Sequence, residues 1–157
     1  MQTKEELDRW YSIPDRWQYF KSEDDALRKR NILGMLPTTY NNALDVGCGE
    51  CFIAMDLPSQ VIHGIEFSDI ASSRFPSNVT RVHEPILPYD LVISTGTMYP
   101  QYDYKRMYEY IMRNATNHIL IGGIKEWLIP QEYGEVINQI EFKYLDFTQL
   151  CTLYKVI

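Results

Sequence analysis

Ten residues constrain this chain more than any others. Ala43-Leu44-Asp45-Val46-Gly47-Cys48-Gly49-Glu50-Cys51-Phe52 reads as an apolar strand with an acid at its mouth, two glycines in a tight turn, and the start of a helix. Glycines at 47 and 49 let the backbone turn sharply and approach a ligand closely, and a following helix would aim its free N–H groups into the same space. Glu66 stands 21 positions after Asp45, at the end of a second apolar run, Val61-Ile62-His63-Gly64-Ile65-Glu66. An acid there can accept hydrogen bonds from ribose hydroxyls. The two signals together describe a nucleotide-type binding mouth.

The rest of the chain fits around that mouth. With 157 residues it is long enough for one core and too short for two ordinary domains, so residues 1–157 are expected to form a single unit. Residues 1–40 read as a helical N-terminal arm. Thr3 and Glu6 make a capping box ahead of Leu7, Trp10 and Tyr11, Pro14 interrupts, and a second helix capped by Ser22 runs towards Pro37. From residue 41 to 157, short apolar runs alternate with amphipathic pieces, as in an α/β domain with a mainly parallel sheet. Strands are expected at 42–46, 61–66, 88–94 and 117–122, with a closing antiparallel hairpin from 140–147 and 150–156. Helices are expected over 102–115 and, more poorly patterned, over 125–139, which contains Pro130 and Gly134.

Leu44-Asp45-Val46-Gly47-Cys48-Gly49 followed by Gly64-Ile65-Glu66-Phe67-Ser68 closely resembles the class I S-adenosylmethionine-dependent methyltransferases. The resemblance spans roughly residues 43–122 and implies a Rossmann-like sheet with S-adenosyl-L-methionine as cofactor. It assigns cofactor binding to Asp45, Gly47, Cys48, Gly49, Glu66 and Phe67, with Ser94 and Thr95 after the third apolar run. The family has a third glycine where this chain has Cys51, a position where a small side chain lets helix and strand pack closely. The family's third strand would be Asn78 to Val82, and the chain must then cross to the far side of the first. Strands lie ~4.8 Å apart, so the crossing spans ~14 Å sideways. Only His83 to Pro88 are available, and six extended residues reach ~20 Å. The edge strand is therefore expected to be two or three residues long, or missing. Glu84 is the only candidate for the acid that the family often uses there on the adenine amine.

Methyl transfer from a sulfonium mainly requires donor and acceptor to be held in line, so no metal is expected. His63, His83 and His118 are isolated and carry no zinc-type spacing. Neither a G-x-S-x-G elbow nor a P-loop is present, which leaves acyl and phosphoryl transfer without support. Base-amine methyltransferases carry an acid or Asn, two prolines and an aromatic after the third run, and Ser94-Thr95-Gly96-Thr97 does not match. The segment is closer to the small-molecule branch, with Tyr99 either placing the acceptor, as the catalytic candidate, or filling the core. Among the aromatics of residues 13–20, Trp17 or Tyr19 could close over the cofactor, or the rings could pack the arm on the core. Arg28, on the helix leading into the motif, is where such enzymes often hold the cofactor carboxylate.

The net charge of −6 lies wholly in residues 41–157, since residues 1–40 carry seven basic and seven acidic side chains. A chain so acidic is a poor partner for nucleic acid. No apolar run approaches the ~18 residues of a membrane span, the N-terminus carries no signal-like apolar stretch, and the odd cysteine count points to a reducing cytoplasm. A small-molecule methyl acceptor is the expected partner. Two other readings stand beside this one: a protein that binds S-adenosylmethionine without transferring methyl, as a lyase-like or regulatory protein, and a thiol redox protein built on Cys48-Gly49-Glu50-Cys51.

Overall fold

The computed structural model describes residues 1–157. Its elements are α1 (Lys4–Trp10), α2 (Glu23–Gly34), β1 (Tyr40–Val46), β2 (Ser59–Ile65), α3 (Asp69–Ser72), β3 (Thr80–Arg81), β4 (Tyr89–Thr95), α4 (Tyr104–Asn114), β5 (Ala115–Ile124), β6 (Glu135–Tyr144) and β7 (Phe147–Lys155). The strands make one sheet in the order β3-β2-β1-β4-β5-β7-β6. The first five strands are parallel to one another, and β7 runs antiparallel between β5 and β6. This is the Rossmann-like α/β sheet with a C-terminal antiparallel hairpin that the sequence implies.

Central strands read as continuous apolar runs because both their faces are covered. Alternate residues Ala43, Ile62, Leu91, Ile93 and Leu120 face one core, which Ile32 and Met35 from the arm complete. Their neighbours Leu44, Val46, Ile65, Val92 and Ile119 face the other, against Met107, Tyr110 and Ile111 of α4. Buried rings are satisfied in pairs: Tyr40 Oη lies 2.9 Å from His118 Nδ1, and Tyr89 Oη 2.8 Å from His63 Nδ1. Burial pushes both imidazoles below their ordinary pKa.

β3 has two residues, as the crossing distance demands. The helix expected after the glycine turn is absent, and only a single 3-10 turn, Ala54–Asp56, forms there. Pro58 follows at once and excludes helical geometry at Leu57, which has ψ 136°. The poor helix expected over 125–139 is also absent. Pro130 breaks it, and Gly134, at φ +138°, brings its backbone so close to Lys155 that a Cβ would sit 2.2 Å from the Lys155 carbonyl oxygen. β6 therefore begins at Glu135, and the hairpin turns at Leu145-Asp146 rather than after residue 147. Its pairing shifts by one residue at Ile137, a bulge on the exposed edge. No helix is long and apolar enough to cross a membrane.

Gly64 links the sheet to the glycine turn. A Cβ there would lie 2.8 Å from Cys48 Sγ and 3.0 Å from Phe75 Cε2. Gly64→Ala is expected to lower unfolding free energy by about 1–3 kcal/mol through overpacking, read from urea denaturation.

Candidate functional site

A cleft of about 400 Å³ opens where β1, β2 and β4 end, with α1 and the segment that follows it lying across it. Its floor is the glycine turn. Gly47 (φ +77°) passes so close to Thr97 that a Cβ would meet Thr97 Cγ2 at 2.6 Å, and Gly49 (φ +57°) leaves only 2.9 Å between such an atom and Tyr11 Oη. Cys51, at the third position of the turn, also takes a left-handed φ of +68°. It does so at a cost of roughly 1–2 kcal/mol for an L-residue, and its side chain is fully buried. The position thus demands a backbone conformation as well as a small side chain.

Three of the cleft's acidic and basic side chains are buried, Glu66, Asp45 and Arg28. Glu66 accepts hydrogen bonds from Gly49 N at 2.8 Å and Ser68 N at 3.1 Å, so each carboxylate oxygen holds one of the two loops. Burial pushes its pKa up, and these N–H groups pull it back. Asp45 is fully enclosed and its Oδ1 has no partner in the protein. Burial first, then the nearby Glu66 charge, pushes its pKa up to about 8, against the opposing pull of Arg28. The Arg28 guanidinium is buried and lies 4.8 Å from the centre of the Tyr19 ring. Its Nε donates to Asp25 Oδ1 at 3.0 Å, while its two terminal nitrogens have no protein partner and the side chain lines the cleft.

The arm is held over the cleft by partly buried polar contacts. Asp8 Oδ1 accepts from Ser68 Oγ at 2.6 Å and from Ile70 N at 3.3 Å, which ties α1 to the start of α3. Arg74 donates to the Tyr11 carbonyl at 2.6 Å and to Glu50 Oε2 at 3.2 Å, and Glu50 Oε1 accepts from Asp15 N at 3.0 Å. Trp17 Nε1 donates to Tyr11 Oη at 3.3 Å, and Trp17 stacks on Tyr19 with ring centres 6.0 Å apart. These contacts bring Tyr11, Trp17, Tyr19 and Arg28 to one wall.

Nine residues singled out in the sequence therefore share the cleft: Trp17, Arg28, Asp45, Gly47, Cys48, Gly49, Glu66, Phe67 and Thr95. Three do not line it. Ser94 is buried beneath it, donating to the Val46 carbonyl at 2.8 Å. Glu84 lies on the surface, paired with Arg113 at 3.1 Å, because the crossing after β3 carries it away. The Tyr99 hydroxyl accepts from Ile124 N at 2.7 Å and the ring is 5% exposed, which makes it a brace between β5 and the loop after β4. Tyr19, the other ring that could close over the cofactor, lines the cleft with Trp17, and so do Tyr11, Tyr102 and Arg106, which no motif marks. The only sequence signal for the two tyrosines is the density of aromatics before residue 21 and after residue 98.

The two thiols of the C-x-x-C lie 3.6 Å apart. Burial pushes the Cys48 thiol well above its ordinary pKa, opposite to the low value that makes a redox cysteine reactive.

No family model and no curated protein matches the sequence. Solved structures do match the fold. The N-methyltransferase NodS from Bradyrhizobium japonicum WM9, in complex with S-adenosyl-L-homocysteine, superposes with TM-score 0.76 at 14% identity, over 98% of this chain and 97% of that one. Magnesium protoporphyrin IX methyltransferase from Synechocystis PCC 6803, with bound S-adenosylmethionine, gives TM-score 0.75 at 11% identity over 100% and 98%. A putative methyltransferase in complex with the activator Trm112 from Haloferax volcanii gives 0.69 at 13% over 96% and 97%. The chain has the class I methyltransferase fold.

Two measurements check this geometry. Tyr99→Phe leaves the Ile124 N–H without its partner and is expected to cost about 1–3 kcal/mol of stability in chemical denaturation, with ligand affinity unchanged. Asp45 gives a pH signature. Its folded pKa of about 8 exceeds its unfolded value near 4, so the folded chain keeps a proton that the unfolded chain releases, and stability falls as pH rises across that interval. Between pH 7 and 8 the slope from this group should be on the order of 1 kcal/mol per pH unit. Urea titrations of Asp45→Asn should show that slope removed.

Proposed function

We propose that this chain is an S-adenosylmethionine-dependent methyltransferase of a small molecule. One observation carries the reading. The cleft that the two glycines and Glu66 build also holds a cation and a buried carboxyl with unmet hydrogen-bonding capacity, the terminal nitrogens of Arg28 and Oδ1 of Asp45, whose ionised form an arriving ammonium would favour. That pair complements an α-amino acid zwitterion, and no part of the protein itself satisfies it. The carboxylate end suits the fork of Arg28 and the ammonium suits Asp45. Glu66 keeps spare lone pairs for ribose hydroxyls, and Phe67 and Met107 offer an apolar seat for the base.

When bound, S-adenosylmethionine supplies an activated methyl group on a sulfonium. The chain's own residues orient and enclose. Arg28 and Asp45 fix one end and Glu66 the middle, while Tyr11, Trp17 and Tyr19 cover the cleft from the arm and exclude water. Ring faces beside a sulfonium favour its charge. The cofactor-bound N-methyltransferase and protoporphyrin methyltransferase of the same fold support transfer over mere retention of the ligand. The high thiol pKa of Cys48 removes support from the redox reading.

Calorimetry tests the proposal. S-adenosylmethionine should bind in the low-micromolar to sub-millimolar range and NAD should not. At ~100 times its dissociation constant, S-adenosylmethionine should stabilise the fold by ~2.7 kcal/mol. Arg28→Lys should bind S-adenosylmethionine more weakly than wild type while adenosine binding is unchanged, because adenosine lacks the amino acid end. Stabilisation by NAD exceeding that by S-adenosylmethionine, or an unchanged affinity in folded Arg28→Ala, contradicts the reading.

A further inference from the structure

The main cleft, at about 400 Å³, lies near the lower end of ligand pockets, roughly 300–1,000 Å³. It has room for one nucleoside-sized ligand, so an acceptor must approach through an adjoining space. There is one. A second, more open cavity of about 530 Å³ shares Met1, Gln2, Trp17 and Tyr102 with the cleft and is otherwise lined by Glu6 and Gln101. It lies between the arm and the loop after β4, which are joined by a hydrogen bond from Gln2 N to the Gln101 carbonyl at 2.7 Å.

The chemistry of this vestibule is selective. Both its rings are braced from behind. Trp17 packs on Trp10 with centres 4.9 Å apart and is anchored by its bond to Tyr11, and Tyr102 stacks on Tyr99 at 6.4 Å. Trp17 nonetheless remains 42% exposed. Glu6 is the only charged side chain lining the space, and neither Lys nor Arg does so. Glu6 would repel a carboxylate or phosphate acceptor, and the one cation to offset it is the Met1 terminal ammonium at the exposed edge. No histidine lines either cavity, and Asp45 and Glu66 lie on the cleft wall rather than in the vestibule. An alcohol or phenol therefore finds only Glu6 as a base, and that carboxylate is already held by the Thr3 N–H. A cation finds both an acid and π faces, each of which attracts positive charge.

Resting on the methyltransferase reading, we propose that the acceptor is an organic amine, drawn into the vestibule as its cation by Glu6 and the faces of Trp17 and Tyr102. The ammonium first loses a proton to solvent water at the open mouth. The nitrogen lone pair then forms the N–C bond to the donor methyl as the C–S bond breaks. The electrons of the broken bond stay on sulfur as a thioether, and the positive charge passes to the methylated nitrogen, which the same ring faces favour.

Glu6 offers a clean variant, because its Oε2 also accepts from Thr3 N in the capping box and a glutamine keeps that bond while removing the charge. The probes are phenethylamine, 3-phenylpropionate and 2-phenylethanol, three compounds with one ring and different head groups. Each is titrated by NMR into protein saturated with S-adenosylhomocysteine. The amine should bind more tightly than the other two, and Glu6→Gln should weaken it about threefold to fivefold, as expected for an exposed ion pair. The alcohol's affinity and that of S-adenosylhomocysteine should not change. Equal binding of the three probes, tighter binding of the acid or alcohol, or an amine affinity indifferent to Glu6→Gln overturns the proposal. Failure of S-adenosylhomocysteine to bind at all would instead count against the methyltransferase reading.

Discussion

The site depends on one carboxylate between two loops. Glu66 sits at the end of β2 and accepts one N–H from the glycine turn after β1 and one from Ser68 at the start of α3. Charge-assisted bonds of this kind are worth roughly 1.5–3 kcal/mol each, and they add to the backbone bonds that Gly47 N and Cys48 N make to the Ile65 carbonyl at 2.8 and 3.1 Å. Ser68 in turn donates to Asp8 of α1. A single chain of hydrogen bonds therefore runs from the floor of the cleft to the arm that covers it. The Glu66 carboxylate is held in place before any ligand arrives, which lowers the ordering cost of binding.

The arm compensates for what the sheet lacks. Between β1 and β2 there is one 3-10 turn, between β3 and β4 only a short crossing, and between β5 and β6 no helix. One face of the sheet is consequently covered by α2 and the segments beside it. This places Arg28 inside the protein, facing the cleft on one side and Asp25 on the other. Tyr144 from the hairpin donates to the same Asp25 at 2.8 Å. The guanidinium is thus oriented by residues from both ends of the chain, and side chains that cover the core also line the site.

Much of this was legible in the sequence for identifiable reasons. Apolar runs between residues 42 and 122 mark strands buried on both faces, and the crossing arithmetic anticipated a two-residue β3. Asp45, Gly47, Gly49 and Glu66 are recognisable because backbone geometry restricts their side chains, and they meet in the cleft. The helices that did not form were misjudged where local pattern yields to backbone constraint. Pro58 leaves no length for a helix after the glycine turn, and the close approach of Gly134 to Lys155 is a tertiary contact with no local signature. Tyr99 and Tyr102 are equivalent aromatics in the sequence, and only the Ile124 N–H separates the buried brace from the cleft-lining ring. Tyr11 was hidden for the same reason: what makes it part of the site is the folding of the arm, whereas Trp17 and Tyr19 stood out in the aromatic run of residues 13–20.

The most direct test of the account is a crystal structure with S-adenosylhomocysteine. The account predicts the ligand carboxylate within hydrogen-bonding distance of the Arg28 terminal nitrogens, its ammonium on Asp45 and its ribose hydroxyls on Glu66, with the space beside Trp17 and Tyr102 left open. A ligand bound outside this cleft, or one whose amino acid end lies beside Phe67 and Arg106 with its base against Arg28, would contradict it.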